Sequence, residues 1–197
     1  MDIREKYLTV EREEIFEIKI ERSLFIGIVS PINNRHPSDI LKEVKERYKN
    51  ATHYCYAYRK ATGEEYFTDG GEPTGTAGIP ILNALRERDL YDIIGIVIRY
   101  FGGIKLGIRG LIDAYHYTME KTLEKAKITE KIITSDYVVR LSYKDFNAFK
   151  SEILRHFRCE VKEKFEDNVI MEIKIPIFLK DDFEKFLFKR GVEIEKL

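Results

Sequence analysis

The stretch Ile93 to Ile98, IIGIVI, contains no polar side chain, and it constrains the fold more than any other segment. A strand built from it has no face to give to water, so it belongs centrally in a sheet that is covered on both sides. The chain supplies amphipathic partners for that task. Pro37 opens a helix with Ile40, Leu41, Val44 and Tyr48 on one face, since proline at the first helical position forfeits no needed hydrogen bond. Pro80 begins another with Ile81, Leu82 and Leu85, and a longer helix sets Leu111, Tyr115, Thr118, Met119, Thr122 and Ala126 on its apolar side. Strands are expected at Ile15 to Ile20, at Leu24 to Val29 and at His53 to Arg59. In the last of these, Tyr54, Tyr56 and Tyr58 alternate with His53, Cys55, Ala57 and Arg59, the period of two that a pleated strand requires.

Past Lys131 the pattern restarts. Strand Tyr137 to Ser142, helix Asp145 to His156, strand Cys159 to Phe165, a turn at Asp167-Asn168, a strand alternating through Val169, Met171, Ile173 and Ile175, a helix carrying Phe183, Phe186 and Leu187, and a closing strand Val192 to Ile194 follow in order. Gly191 stops the last helix. This βαββαβ order is that of a ferredoxin-like unit. The expected class is therefore α+β with two domains, 1–131 and 132–197.

Composition narrows the function classes. Lys plus Arg and Asp plus Glu each total 34, so nucleic-acid binding would need a local patch rather than the bulk field. Cys55 and Cys159 are too few and too distant for a disulfide framework or a metal knuckle. No targeting signal is visible at the start, and no apolar stretch approaches the ~18 residues of a membrane span. A cytoplasmic protein without membrane contact, metal or cofactor is expected.

Two glycine-rich loops carry the chemistry. Arg99 to Gly110, RYFGGIKLGIRG, has no acidic residue. Gly102, Gly103 and Gly107 let backbone N–H groups approach a ligand, a helix begins just after them, and Arg99, Lys105 and Arg109 supply charge, the parts of an anion site. The same glycines would also serve a tight connection between a buried strand and a helix. GGIKLG lacks the Gly-Lys-Ser/Thr ending of a phosphate-binding loop, so nucleotide hydrolysis is not supported. The other loop, Thr68 to Gly78, offers Asp69, Glu72, Thr74 and Thr76. These could hold a cation or act as acid and base with His53, or Asp69 and Glu72 could simply pair with Arg99 or cap the helix at Pro80. Cys55 shares a strand face with His53, but no orienting group or oxyanion site for a nucleophile is evident. Tyr54, Tyr56 and Tyr58 could stack on bases or belong to the core.

Three segments, His53-Tyr-Cys-Tyr-Ala57, Asp69-Gly-Gly-Glu-Pro-Thr-Gly-Thr-Ala-Gly78 and Arg99-Tyr-Phe-Gly-Gly-Ile-Lys-Leu-Gly107, resemble the IMPACT/YigZ-like family in order and spacing. Ser23-Leu-Phe-Ile26 is a weaker fourth. The resemblance implies an N-terminal domain like the second domain of small-subunit ribosomal protein five and a ferredoxin-like C-terminal domain. It also implies a role in regulating translation, through binding of RNA, the ribosome or a translation-associated protein. Binding is favoured over catalysis; the alternative is a small hydrolase or transferase using a cleft between residues 68–78 and 99–110. Gly70, Arg109 and Asp113 depart from the family pattern, which commonly has Asp, Gly and a basic residue there.

Overall fold

The structure is a computed structural model and describes residues 5–192 and 194–196. The chain divides into two compact units, one spanning Tyr7–Lys131 and the other running from Ile132 onward together with Glu5 and Lys6. Helix and strand are mixed throughout, as an α+β class requires.

The first part of the chain runs β1 (Lys6–Val10), β2 (Glu14–Ile20), β3 (Ser23–Pro31), α1 (Pro37–Arg47), β4 (His53–Arg59), β5 (Glu65–Thr68), α2 (Gly78–Glu87), β6 (Ile93–Tyr100), α3 (Gly107–Lys125) and β7 (Ile128–Ile132). Five strands form an antiparallel sheet in the order β2-β3-β6-β4-β5, while β1 and β7 pair in a ribbon. The apolar run Ile93 to Ile98 is thus the middle strand. Successive residues of a strand point to opposite faces, and two cores result. Phe25, Val29, Cys55, Ala57, Ile93 and Val97 pack under α2 and α3. Ile26, Ile28, Ile94, Ile96 and Ile98 pack under Ile40 and Val44 of α1.

Gly27 of β3 sets how closely α3 lies on the sheet. A Cβ there would fall 2.1 Å from the Thr122 hydroxyl oxygen, so only glycine admits this approach. Thr118 and Thr122 are fully buried at that contact, and each satisfies its hydroxyl by donating to the carbonyl one turn back, at 2.7 Å.

Tyr54, Tyr56 and Tyr58 lie half-buried against the α1 core. The Tyr54 hydroxyl donates to the Tyr48 carbonyl, and Tyr58 donates to Glu64 and stacks on Tyr66 with centroids 5.5 Å apart. These rings are largely committed to one another and to the core.

The second unit contains β8 (Thr134–Leu141), α4 (Tyr143–His156), β9 (Glu160–Phe165), β10 (Val169–Pro176), α5 (Lys180–Arg190) and β11 (Ile194–Lys196), with sheet order β11-β8-β10-β9. The closing strand expected over Val192 to Ile194 lies at Ile194–Lys196 instead, and Glu193 is outside the described residues. Phe146, Phe149, Ile153, Phe183 and Leu187 from the two helices share one core with Val139, Met171 and Ile173, which places both helices on one sheet face. Ser142 caps α4 and left-handed Gly191 ends α5. On the other sheet face Lys162 opposes Glu172, and Lys174 lies between Glu160 and Asp136. That face carries paired charges rather than aromatic rings. No helix among the described residues is long and apolar enough to cross a membrane.

Candidate functional site

Strand register assembles the site. Arg99 at the end of β6 sits opposite Phe25 of β3 on one side and opposite His53 of β4 on the other, so the three form one row across the sheet. Arg99 continues the parity of Ile93 and Val97 and therefore points under α2 and α3 rather than outward. The loop after β5 lays Glu72 over this row, and α3 brings Tyr115 from above.

Glu72 Oε1 accepts from Arg99 Nη1 at 2.6 Å and from the Tyr115 hydroxyl at 2.9 Å, and His53 Nε2 lies 3.8 Å away. The side chains of Glu72 and Arg99 are only 4% and 5% exposed. Arg99 Nη2 donates to the Ser23 hydroxyl at 3.3 Å, and that same oxygen accepts from the Gly102 amide at 3.2 Å. His53 Nδ1 lies 3.1 Å from the Gly70 carbonyl, which can only accept, so Nδ1 carries the hydrogen. The Cys55 thiol donates to the Asp69 carbonyl at 2.9 Å. Burial pushes that thiol up to about 12, with the Glu72 and Asp69 carboxylates adding to the rise. Burial, then the neighbouring Cys55 and Glu72, also raises the Tyr115 hydroxyl well above its ordinary value.

Asp69 does a different job. Its Oδ1 accepts from the amides of Ala77 and Gly78 at 3.0 and 2.9 Å, and its Oδ2 from the Gly75 amide at 2.8 Å. Helix α2 begins at Gly78 and has no cap from its own preceding side chain. Asp69 supplies that cap from across the loop, where a carboxylate also meets the positive end of the helix dipole. Thr76 is buried and donates to the Pro73 carbonyl at 2.7 Å, while Thr74 is exposed.

These contacts correct the expectation that Arg99 serves an anion site, and for Glu72 they select pairing with Arg99 over the acid–base role. Arg99 is not open to an anionic ligand, because Glu72 neutralises it inside the protein. Glu72 is no free base, because it is enclosed by its donors. An inaccessible carboxylate and a protonated thiol do not favour a hydrolase or transferase reading. Among the described residues no group of three His, Cys, Asp or Glu could hold a metal ion.

The rest of the basic loop faces outward. Lys105 is exposed, and Arg109 is 85% exposed with only a surface pair to Asp113 at 3.1 Å. Gly103 and Gly107 adopt φ of +90° and +71°, which favours glycine. Gly102 is held by close approach: a Cβ there would fall 1.8 Å from the Arg22 carbonyl oxygen. That contact brings the exposed Arg22 beside the loop, a cation that reading along the chain does not connect with it. Ser23 and Tyr115 likewise join the site only through the fold, Tyr115 from the apolar face of α3.

Fold and site together define a two-unit α+β protein in which two glycine loops are locked over a sheet by a buried Glu–Arg–Tyr cluster. A family model described as the Impact N-terminal domain matches residues 21–123, which include every residue of that cluster. IMPACT family member YvyE of Bacillus subtilis (strain 168) is 35% identical over 170 residues, covering 84% of this chain and 78% of that protein. IMPACT family member YigZ of Escherichia coli (strain K12) is 26% identical over 180 residues, covering 88% of each. A crystal structure of a hypothetical protein superposes with a TM-score of 0.71 at 24% identity and 98% coverage of both chains, which shows a common fold. The chain belongs to the IMPACT family.

Proposed function

We propose that this protein is a binding module for RNA, acting in the cytoplasm on the ribosome or a translation-associated complex in the regulation of translation. One observation carries the reading. The start of α3 has no side-chain cap and no acid in its first turn, and three exposed cations belong to the loop that leads into it or to its neighbour: Lys105 and Arg109 on either side of Gly107, and Arg22, whose backbone adjoins Gly102. Helix N–H groups without a side-chain cap, beside exposed cations, suit phosphate oxygens. The buried Glu72–Arg99 pair supports the same reading from the other side, since it fixes the loop instead of offering reactive groups. The proposal includes the finer fold reading. The β11-β8-β10-β9 order with both helices on one face supports a ferredoxin-like second unit, and the first unit is read as similar to the second domain of small-subunit ribosomal protein five.

The test is binding to RNA and co-sedimentation with ribosomes across a salt series. Log affinity should fall linearly with log salt concentration, with a slope of about −0.7 for each phosphate contacted on a single strand. Converting Arg22, Lys105 and Arg109 together to Ala should flatten that slope and weaken binding while the protein stays folded. No binding at low salt, or an unchanged slope in the triple variant, would overturn the proposal.

A further inference from the structure

Phe101 is 43% exposed, and an exposed phenylalanine alone needs no explanation. What sets this ring apart is how firmly it is held. The Arg99 guanidinium lies between two rings, its Cζ 5.3 Å from the Phe25 centroid and 5.1 Å from that of Phe101. Phe25, fully buried, packs edge-on against Tyr115 at 5.4 Å, so the stack is rooted in the core. The Phe101 amide donates to the Thr52 hydroxyl at 3.0 Å. The next residue, Gly102, is pinned on the Arg22 carbonyl and its amide on Ser23. The backbone on both sides of the ring is therefore fixed, and a cation sits behind it. By contrast, Phe188, the most exposed ring among the described residues at 88%, lies at the end of α5 with no comparable anchoring contact.

The surroundings indicate what the outer part of the ring would meet. No acidic residue occurs between Arg99 and Gly110. Lys105 lies four residues on, at most about 14 Å away along an extended chain, and Arg22 adjoins Gly102. A fixed aromatic surface with flanking cations matches a base and its neighbouring phosphates, the combination used to hold single strands.

We infer that Phe101 is the stacking platform for an unpaired nucleobase, so that the RNA taken by this site is single-stranded where it meets the loop. This rests on the RNA-binding reading above and adds the class of RNA. A base within a duplex is already stacked on both sides and offers the ring no free face. An extruded or single-stranded base does.

The chain contains no tryptophan, so Phe101→Trp introduces a sole tryptophan at the proposed contact. The probes are an oligoadenylate strand and the same strand annealed to oligouridylate. Tryptophan emission, excited at the red edge of its band, should be quenched by the single strand and not by the duplex. The wild type should prefer the single strand. Phe101→Ala should weaken single-strand binding by about tenfold or more, within the range for loss of one stacked base, with the salt slope unchanged. Phe101→Tyr should retain affinity, separating stacking from any disturbance of the loop. Salt-dependent binding with unquenched tryptophan and equal affinity for strand and duplex would overturn this inference and leave the phosphate contact standing. No binding of either probe by the wild type would overturn both.

Discussion

Glu72 and Arg99, which are 27 positions apart in the chain, meet at 2.6 Å with both side chains almost wholly out of solvent. Removing one partner leaves the other charge buried and unpaired, a loss of about 3–5 kcal/mol for such pairs. Arg99→Met and Glu72→Gln should each destabilise the protein by roughly that amount in urea denaturation. The double variant strands no charge, so its loss should be clearly less than the sum of the two. Small, additive effects would show that solvent reaches the pair.

Asp69 gathers three backbone amides of its own loop and of the start of α2. Asp69→Ala should cost on the order of 2 kcal/mol, the upper end for loss of a helix cap. Asp69→Asn, which keeps one acceptor oxygen, should cost less. Hydrogen exchange at Gly75, Ala77 and Gly78 should accelerate more than at β6 in both variants, and uniform acceleration would argue against a local capping role.

Cys55 contributes a pH dependence whose sign follows from burial. Its thiol is raised from an ordinary value of 9.0 to about 12, so the folded state holds the proton that the unfolded state releases first. The associated stability is fully present below about 9 and is lost as pH rises toward about 12. Denaturation midpoints measured across that range should fall less steeply in Cys55→Ala than in the wild type. In native protein at neutral pH, Cys55 should resist alkylation and become reactive on unfolding. Rapid native alkylation at Cys55 would contradict the buried, protonated thiol.

Much of the fold was legible in local pattern. The central position of Ile93 to Ile98, the buried faces of α1 and α3, the strand at His53 to Arg59 and the glycine stop at Gly191 each follow from periodicity or turn chemistry. Strands β1, β5 and β7 carry no clear signal in the sequence. They are only four or five residues long, as in EYFT and ITEKI, and pairing rather than an apolar pattern defines them. The helix start at Gly107 also lay inside what read as a continuous loop.

The site was legible as chemistry but not as geometry. An acidic loop and a basic loop were visible as complementary, and pairing of Asp69 and Glu72 with Arg99 or with the α2 helix end was one of the open readings. The structure divides that work: Glu72 takes Arg99, and Asp69 takes the helix. Strand parity carried a usable signal, since Arg99 continues the inward face of Val97.

By itself, the sequence of the apolar run Ile93 to Ile98 required a covered central strand, and the glycine-rich segments on either side of α2 and β6 required irregular backbone. Local periodicity and φ preference act within a few residues, so those conclusions needed no tertiary information. Which charges remained available for a ligand was decided only by the tertiary structure. Register set Arg99 beside His53 and Phe25, Gly27 let α3 descend until Tyr115 reached Glu72, and burial consumed one arginine of the basic loop while leaving Lys105, Arg109 and Phe101 at the surface. Those outcomes depend on contacts between segments as far apart in the chain as Gly27 and Thr122, where the stabilisation arises from excluding water around the whole cluster rather than from any one segment's preference.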